Sequence, residues 1–167
     1  MRSFLLPLTA CACLVVLPAA AGELAAGPTM SSKSAPAASA ATDYAPGARA
    51  CLAEAVYFET KGTSLRAGQA VAYVILNRRA HEEFPPKVCD VVADGCQFSY
   101  QCDGQPERMA DPAERERAFR AAESVLEGRI DDPTEGALFF HAEKAVAVDW
   151  FETRDRTVEI GGNVFYR

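Results

Sequence analysis

One carboxylate in this chain stands where a helix should place another apolar side chain. Over Ala48 to Gly62, Leu52, Ala55 and Val56 recur at spacings of three and four, and Glu59 takes the next position on the same stripe. Gly62 follows as a C-terminal stop signal. A carboxyl on a core-facing stripe is desolvated, and near a helix C-terminus it meets carbonyls of partial negative charge, so both effects favour the protonated form. A carboxyl that keeps its proton near neutral pH is a candidate general acid, the role in which such groups cleave glycosidic bonds. The same spacing also fits a buried Glu satisfied by a neighbour, or a frayed end where Glu59 reaches solvent. Glu54 lies about 140° away around the helix, off the stripe.

The elements that must position Glu59 follow from periodicity and punctuation. A second helix is predicted from Ser64 to Ala80, where Ala67, Ala70, Val71, Val74, Ile75 and the aliphatic stem of Arg78 share a broad face, as expected of a central buried helix. Phe84-Pro85-Pro86 forbids its continuation. The stretch Asp94 to Gln105, with two glycines, two cysteines and two aromatics, reads as a stapled loop. Asp111-Pro112 starts a helix running to Glu127, with Phe119, Ala122, Val125 and Leu126 on its buried face and Glu114 to Arg117 on a solvated one. Beyond it, Ala137 to Phe140, Thr157 to Ile160 and Asn163 to Tyr166 read as short strands, the last two joined as a hairpin by Gly161-Gly162. The predicted class is α+β, mostly helical with a small C-terminal β-hairpin element.

The chain has 167 residues and six cysteines. Arg2 precedes an apolar run from Phe4 to Ala21 that ends in small residues, which predicts a signal peptide over 1–21. A lipobox-like Leu8-Thr9-Ala10-Cys11 offers a second processing site at Cys11, but the apolar run continues past it and cleavage after Ala21 fits better. Pro7 and Pro18 interrupt the run, against a stable membrane insertion. Residues 22–46, rich in Ala, Ser and Pro, are predicted to be a disordered linker, which leaves 47–167 as one domain. Its four cysteines, Cys51, Cys89, Cys96 and Cys102, suit two disulfides in an exported protein, periplasmic or extracellular. Three pairings exist; Cys96 with Cys102 and Cys51 with Cys89 are preferred. Paired Cys-x-x-Cys knuckles are missing, so no metal and no cofactor is expected. A net charge of −6 argues against nucleic acid as a partner and against electrostatic adhesion to an anionic polymer.

Cys51 to Gly62, Gly68-Gln69-Ala70-Val71-Ala72 with Asn77-Arg78, Phe84-Pro85, Cys96 to Tyr100 with Cys102-Asp103-Gly104, Phe139-Phe140-His141 and Val164-Phe165-Tyr166 together carry a resemblance. In these motifs and their order the chain resembles the SleB/CwlJ-type cell-wall hydrolases. The resemblance implies a lysozyme-like fold acting on peptidoglycan, with Glu59 as the catalytic acid. The family commonly reads Glu-Ala-Arg-Gly-Glu where this chain reads Glu59-Thr60-Lys61-Gly62-Thr63, so the second acid is absent. A hydrolase normally uses two carboxylates. A lytic transglycosylase, as the resemblance implies, manages with one. Asp103 would restore a two-acid scheme if the stapled loop folds over Glu59.

Gln97, Ser99 and Tyr100 are candidate substrate-binding residues, offering amide, hydroxyl and phenol to the sugar, as is Asp103 further along the loop, with Phe98 on the opposite side of an extended strand anchoring the loop. A loop that satisfies itself fits the same residues. His141 is a candidate cleft residue, although a lone His is also found satisfied in a core or at a surface. Asn77 and Arg78 read as structural, capping carbonyls or pairing with an acid, and His81 reads as solvated. The expected function is cleavage of the glycan strand. The alternatives are an N-acetylmuramoyl-L-alanine amidase, for which two histidines outside any ligand motif are a poor basis, and a non-catalytic wall-binding domain.

Overall fold

Four α-helical segments precede the sheet in a computed structural model that describes residues 44–144 and 149–167. The predicted signal peptide and nearly all of the predicted linker lie outside the described residues. Helix α1 spans Ala48–Thr60, and Leu52, Ala53, Ala55, Val56 and Tyr57 are buried along it. Helix α2 spans Leu65–Ala80 and is capped by Ser64, whose hydroxyl accepts from the Ala67 N–H. A one-turn helix α3, Val88–Val92, was not foreseen from the sequence, because five residues are too few to show a period. Helix α4, Pro112–Leu126, starts where Asp111 accepts from the N–H groups of Ala113 and Glu114.

Helix α2 is the centre. One side packs against α1, α3 and α4, and the other receives the sheet through Ala70, Val74, Ala137, Ile160 and Phe165. Small residues set the helix spacing. A Cβ on Gly68 would stand 2.9 Å from Val56 Cγ1 and 3.2 Å from Ala121 Cβ, so α1, α2 and α4 approach closely only because that position has no side chain. Phe119 departs from expectation. It is half-buried, with the Arg49 guanidinium 4.5 Å from its ring centroid.

Strands β1 (Phe139–Ala142), β2 (Arg156–Ile160) and β3 (Asn163–Tyr166) form an antiparallel sheet in the order β1-β3-β2. The hairpin forms at Gly161-Gly162, and β3 also takes β1 in the register Phe140 to Phe165 and His141 to Val164. A short helix α5, Asp149–Glu152, lies between β1 and β2 and was also not predicted.

Disulfides join Cys51 to Cys89 and Cys96 to Cys102. The first ties α1 to α3, and the second closes the loop that follows α3.

Candidate active site

Glu59 lies in the last turn of α1 and is half-buried. Burial lifts its pKa above the ordinary carboxylate value, and the Arg78 guanidinium pulls it part of the way back. Among the described residues no side chain hydrogen-bonds or ion-pairs with its carboxylate. Where the family motif would carry a second acid, the Thr63 hydroxyl instead donates to the Thr60 carbonyl at 2.6 Å and closes the helix end.

Arg78 lies in the last turn of α2 and is only 5% exposed. Its Nε donates to the Leu138 carbonyl at 2.7 Å. Phe84, Phe98 and Phe139 surround the guanidinium with ring centroids 5.3, 5.6 and 5.6 Å away. Desolvation brings its pKa down to about 10, opposed by the charges of Asp94 and Glu59. The preceding residue works beside it: Asn77 Nδ2 donates to Asp132 Oδ2 at 2.9 Å and to the Ala137 carbonyl at 3.1 Å. Asn77 and Arg78 thus grip consecutive carbonyls just ahead of β1, in keeping with the structural role read from the sequence. Arg78 does more, because it also forms part of a cavity of about 620 Å³ with Cys96, Gln97, Phe139, Phe140, Phe151 and Arg154.

The stapled loop is not extended. Ser99 to Cys102 form a 3₁₀ turn, which corrects the extended strand expected there, while Phe98 anchors the loop in the core as expected. Phe98 and Tyr100 are both buried, while Gln97 and Ser99 are exposed. Tyr100 stacks on Phe58 at 4.4 Å, and its hydroxyl is buried without a hydrogen-bond partner. Burial pushes the phenol up to about 12. Tyr100 is therefore a wall beneath Phe58 and not the open phenol expected from the sequence. Gln101 Nε2 donates to Glu54 Oε1 at 3.4 Å, and burial together with Glu107 raises the Glu54 pKa.

Asp103 is exposed and accepts from the Gln105 N–H at 2.7 Å. His141, in β1, has Nε2 3.0 Å from the Tyr166 hydroxyl and Nδ1 2.8 Å from the Ala142 carbonyl, and its ring packs on Phe151. His81 is half-buried against the edge of Phe84, not simply solvated as the sequence suggested.

The cell wall hydrolase profile matches residues 62–166. The chain belongs to the cell wall hydrolase family. Among its relatives are spore cortex-lytic enzymes from Halalkalibacterium halodurans, 33% identical over 114 residues, and from Bacillus subtilis, 31% identical over 114 residues. These alignments cover 68% of this chain but 33% and 35% of the relatives, so the chain spans about a third of their length. Two solved structures are similar, each with a TM-score of 0.65 and 30% identity over 75% of this chain. One is the catalytic domain of the Bacillus cereus SleB protein, 94% covered; the other is the catalytic domain of a germination-specific lytic transglycosylase, SleB, from Bacillus anthracis, 98% covered.

Glu59 lies just ahead of the family match and Arg78 inside it. Reading the sequence missed Arg78, Phe140, Phe151 and Arg154 as walls of one cavity. A signal for Arg78 was present: like Glu59, it is a charged residue on an apolar helical stripe, and it was read as structural only.

Proposed function

We propose that this domain cleaves the glycan strand of peptidoglycan as a lytic transglycosylase, with Glu59 as acid and then base. The observation that carries the reading is a half-buried carboxyl in the last turn of α1 with which, among the described residues, no side chain hydrogen-bonds or ion-pairs, in a domain similar to SleB catalytic domains. Glu59 donates its proton to the bridging oxygen as the bond from that oxygen to the anomeric carbon breaks. The substrate's N-acetyl oxygen supports the positive anomeric centre. The Glu59 carboxylate, favoured by the charge of Arg78, then takes the proton of the sugar's 6-hydroxyl while that oxygen bonds to the anomeric carbon. Gln97 and Ser99, exposed on the stapled loop, and His141 in β1 are proposed to contact the sugar. Two disulfides and a wall substrate agree with an exported protein, and the periplasm is the proposed site of action.

The test is Glu59→Gln on purified peptidoglycan. Losing general acid catalysis should lower the rate by roughly 10²–10⁴. Fragments from the parent enzyme should end in 1,6-anhydro-N-acetylmuramic acid by mass spectrometry, and chelation should leave their yield unchanged. Reducing ends would replace transglycosylation by hydrolysis; a chelation loss restored by zinc would move the reading to an amidase. Full activity in the variant would remove Glu59 from the mechanism.

A further inference from the structure

Arg78 carries a charge that the fold does not neutralise at contact distance. It is buried, its Nη1 has no hydrogen-bond partner, and among the described residues no carboxylate pairs with it. Among the described residues its Nε bond to the Leu138 carbonyl, aromatic rings and two more distant acids offset its desolvation in part, and a buried charge without a carboxylate partner is costly. The guanidinium contributes to the wall of the cavity described above, whose size is that of a small-ligand site. The wall has two characters. Phe139, Phe140 and Phe151 make it aromatic, while Arg78, the Gln97 amide and Arg154, whose guanidinium lies 3.7 Å from the Phe139 ring centroid, make it cationic and hydrogen-bonding.

An occupant that suits both characters has a carboxylate attached to a short aliphatic group. In peptidoglycan that description fits what hangs from the 3-oxygen of N-acetylmuramic acid, a lactyl ether that ends in a carboxylate or continues into a peptide bearing one. We propose that this cavity is the subsite for that carboxylate-bearing substituent, with Arg78 as the partner of the carboxylate and the three phenylalanines against its aliphatic part. This deepens the reading given above and rests on it for the substrate. It also gives a chain of net charge −6 a local means of holding an anionic group. Arg78 would then serve two sites, since its charge also acts on Glu59.

The probes are N-acetylmuramyl-L-alanyl-D-glutamic acid, the same compound with both carboxylates amidated, and N-acetylmuramic acid alone. None contains a glycosidic bond to cleave, so binding to the full protein is read by titration calorimetry and NMR independently of whether Glu59 is the acid. A charge-assisted pair should make the acid bind roughly tenfold or more tightly than the amide. Its methyl groups should show contacts to Phe139, Phe140 and Phe151, and Arg78→Met should abolish the preference. N-acetylmuramic acid binding as well as the dipeptide would support the proposal and assign the lactyl carboxylate; weak binding of it beside a tight dipeptide would support the peptide's carboxylate. Equal affinity for acid and amide, contacts elsewhere on the surface, or no binding would overturn it. If Arg78→Met does not fold, the acid-to-amide ratio and the contact map on the unaltered protein still decide.

Discussion

Gly161 and Gly162 are neighbours in one hairpin turn, yet alanine should affect them very differently. Both have positive φ, 62° and 80°, as a type I′ turn requires. An L side chain in that conformation costs roughly 1–2 kcal/mol at either position. At Gly162 nothing lies within 4 Å of an added Cβ, so the backbone term stands alone. At Gly161 the added Cβ would lie 2.4 Å from Ala67 Cβ and 3.5 Å from Ala67 Cα. Carbon atoms pack at about 3.5–4.0 Å, and neither Ala67 atom can rotate away. The hairpin must lift off α2, and overpacking of this kind adds about 1–3 kcal/mol. Gly161→Ala should therefore cost about 2–5 kcal/mol and Gly162→Ala about 1–2 kcal/mol. Urea unfolding of the oxidised protein, followed by circular dichroism, measures both. Equal losses within about 0.5 kcal/mol would refute the reasoning, because additivity errors between independent terms are about that size.

Three further outcomes follow from the same geometry. Burial raises the Glu59 pKa, so that group favours folding fully only below its unfolded value, and the contribution is lost as pH rises through the folded value; Glu59→Gln should melt higher than the parent at neutral pH, with the gain gone below about pH 4.5 in calorimetric scans. The Cys51–Cys89 bridge spans 38 residues and Cys96–Cys102 spans 6, so replacing each pair by alanine should cost about 4 and about 2 kcal/mol by loop entropy, a ranking that denaturant titration checks. Asp132 accepts from the Thr134 N–H and hydroxyl, Asn77 Nδ2 and the Gly136 N–H; Asp132→Ala should cost about 2–4 kcal/mol and Asp132→Asn less, since one acceptor oxygen remains.

Local rules carried much of the fold. The helical period, Ser64 and Asp111 as caps and Phe84-Pro85-Pro86 as a stop placed α1, α2 and α4 close to their observed ends, because those signals act within a single turn of chain. Gly161-Gly162 marked the hairpin for the same reason: positive φ is a property of the residue. Glu59 was legible as a misplaced charge on an apolar stripe, and its half-burial follows from the face it shares with Leu52, Ala55 and Val56.

Pairings between distant segments were a different matter. That β1 joins β3, that Tyr100 turns under Phe58 in a 3₁₀ turn, and that Asp103 stays with its own loop depend on which surfaces fill the space beside α2. Arg78 shows the division within one residue. Its position on the buried face of α2 was fixed by periodicity, but its meaning depends on Phe84, Phe98 and Phe139, which come from three separate stretches of chain. A charge acquires its pKa, its partner and its cavity from neighbours in space, and only the packed chain determines who those neighbours are.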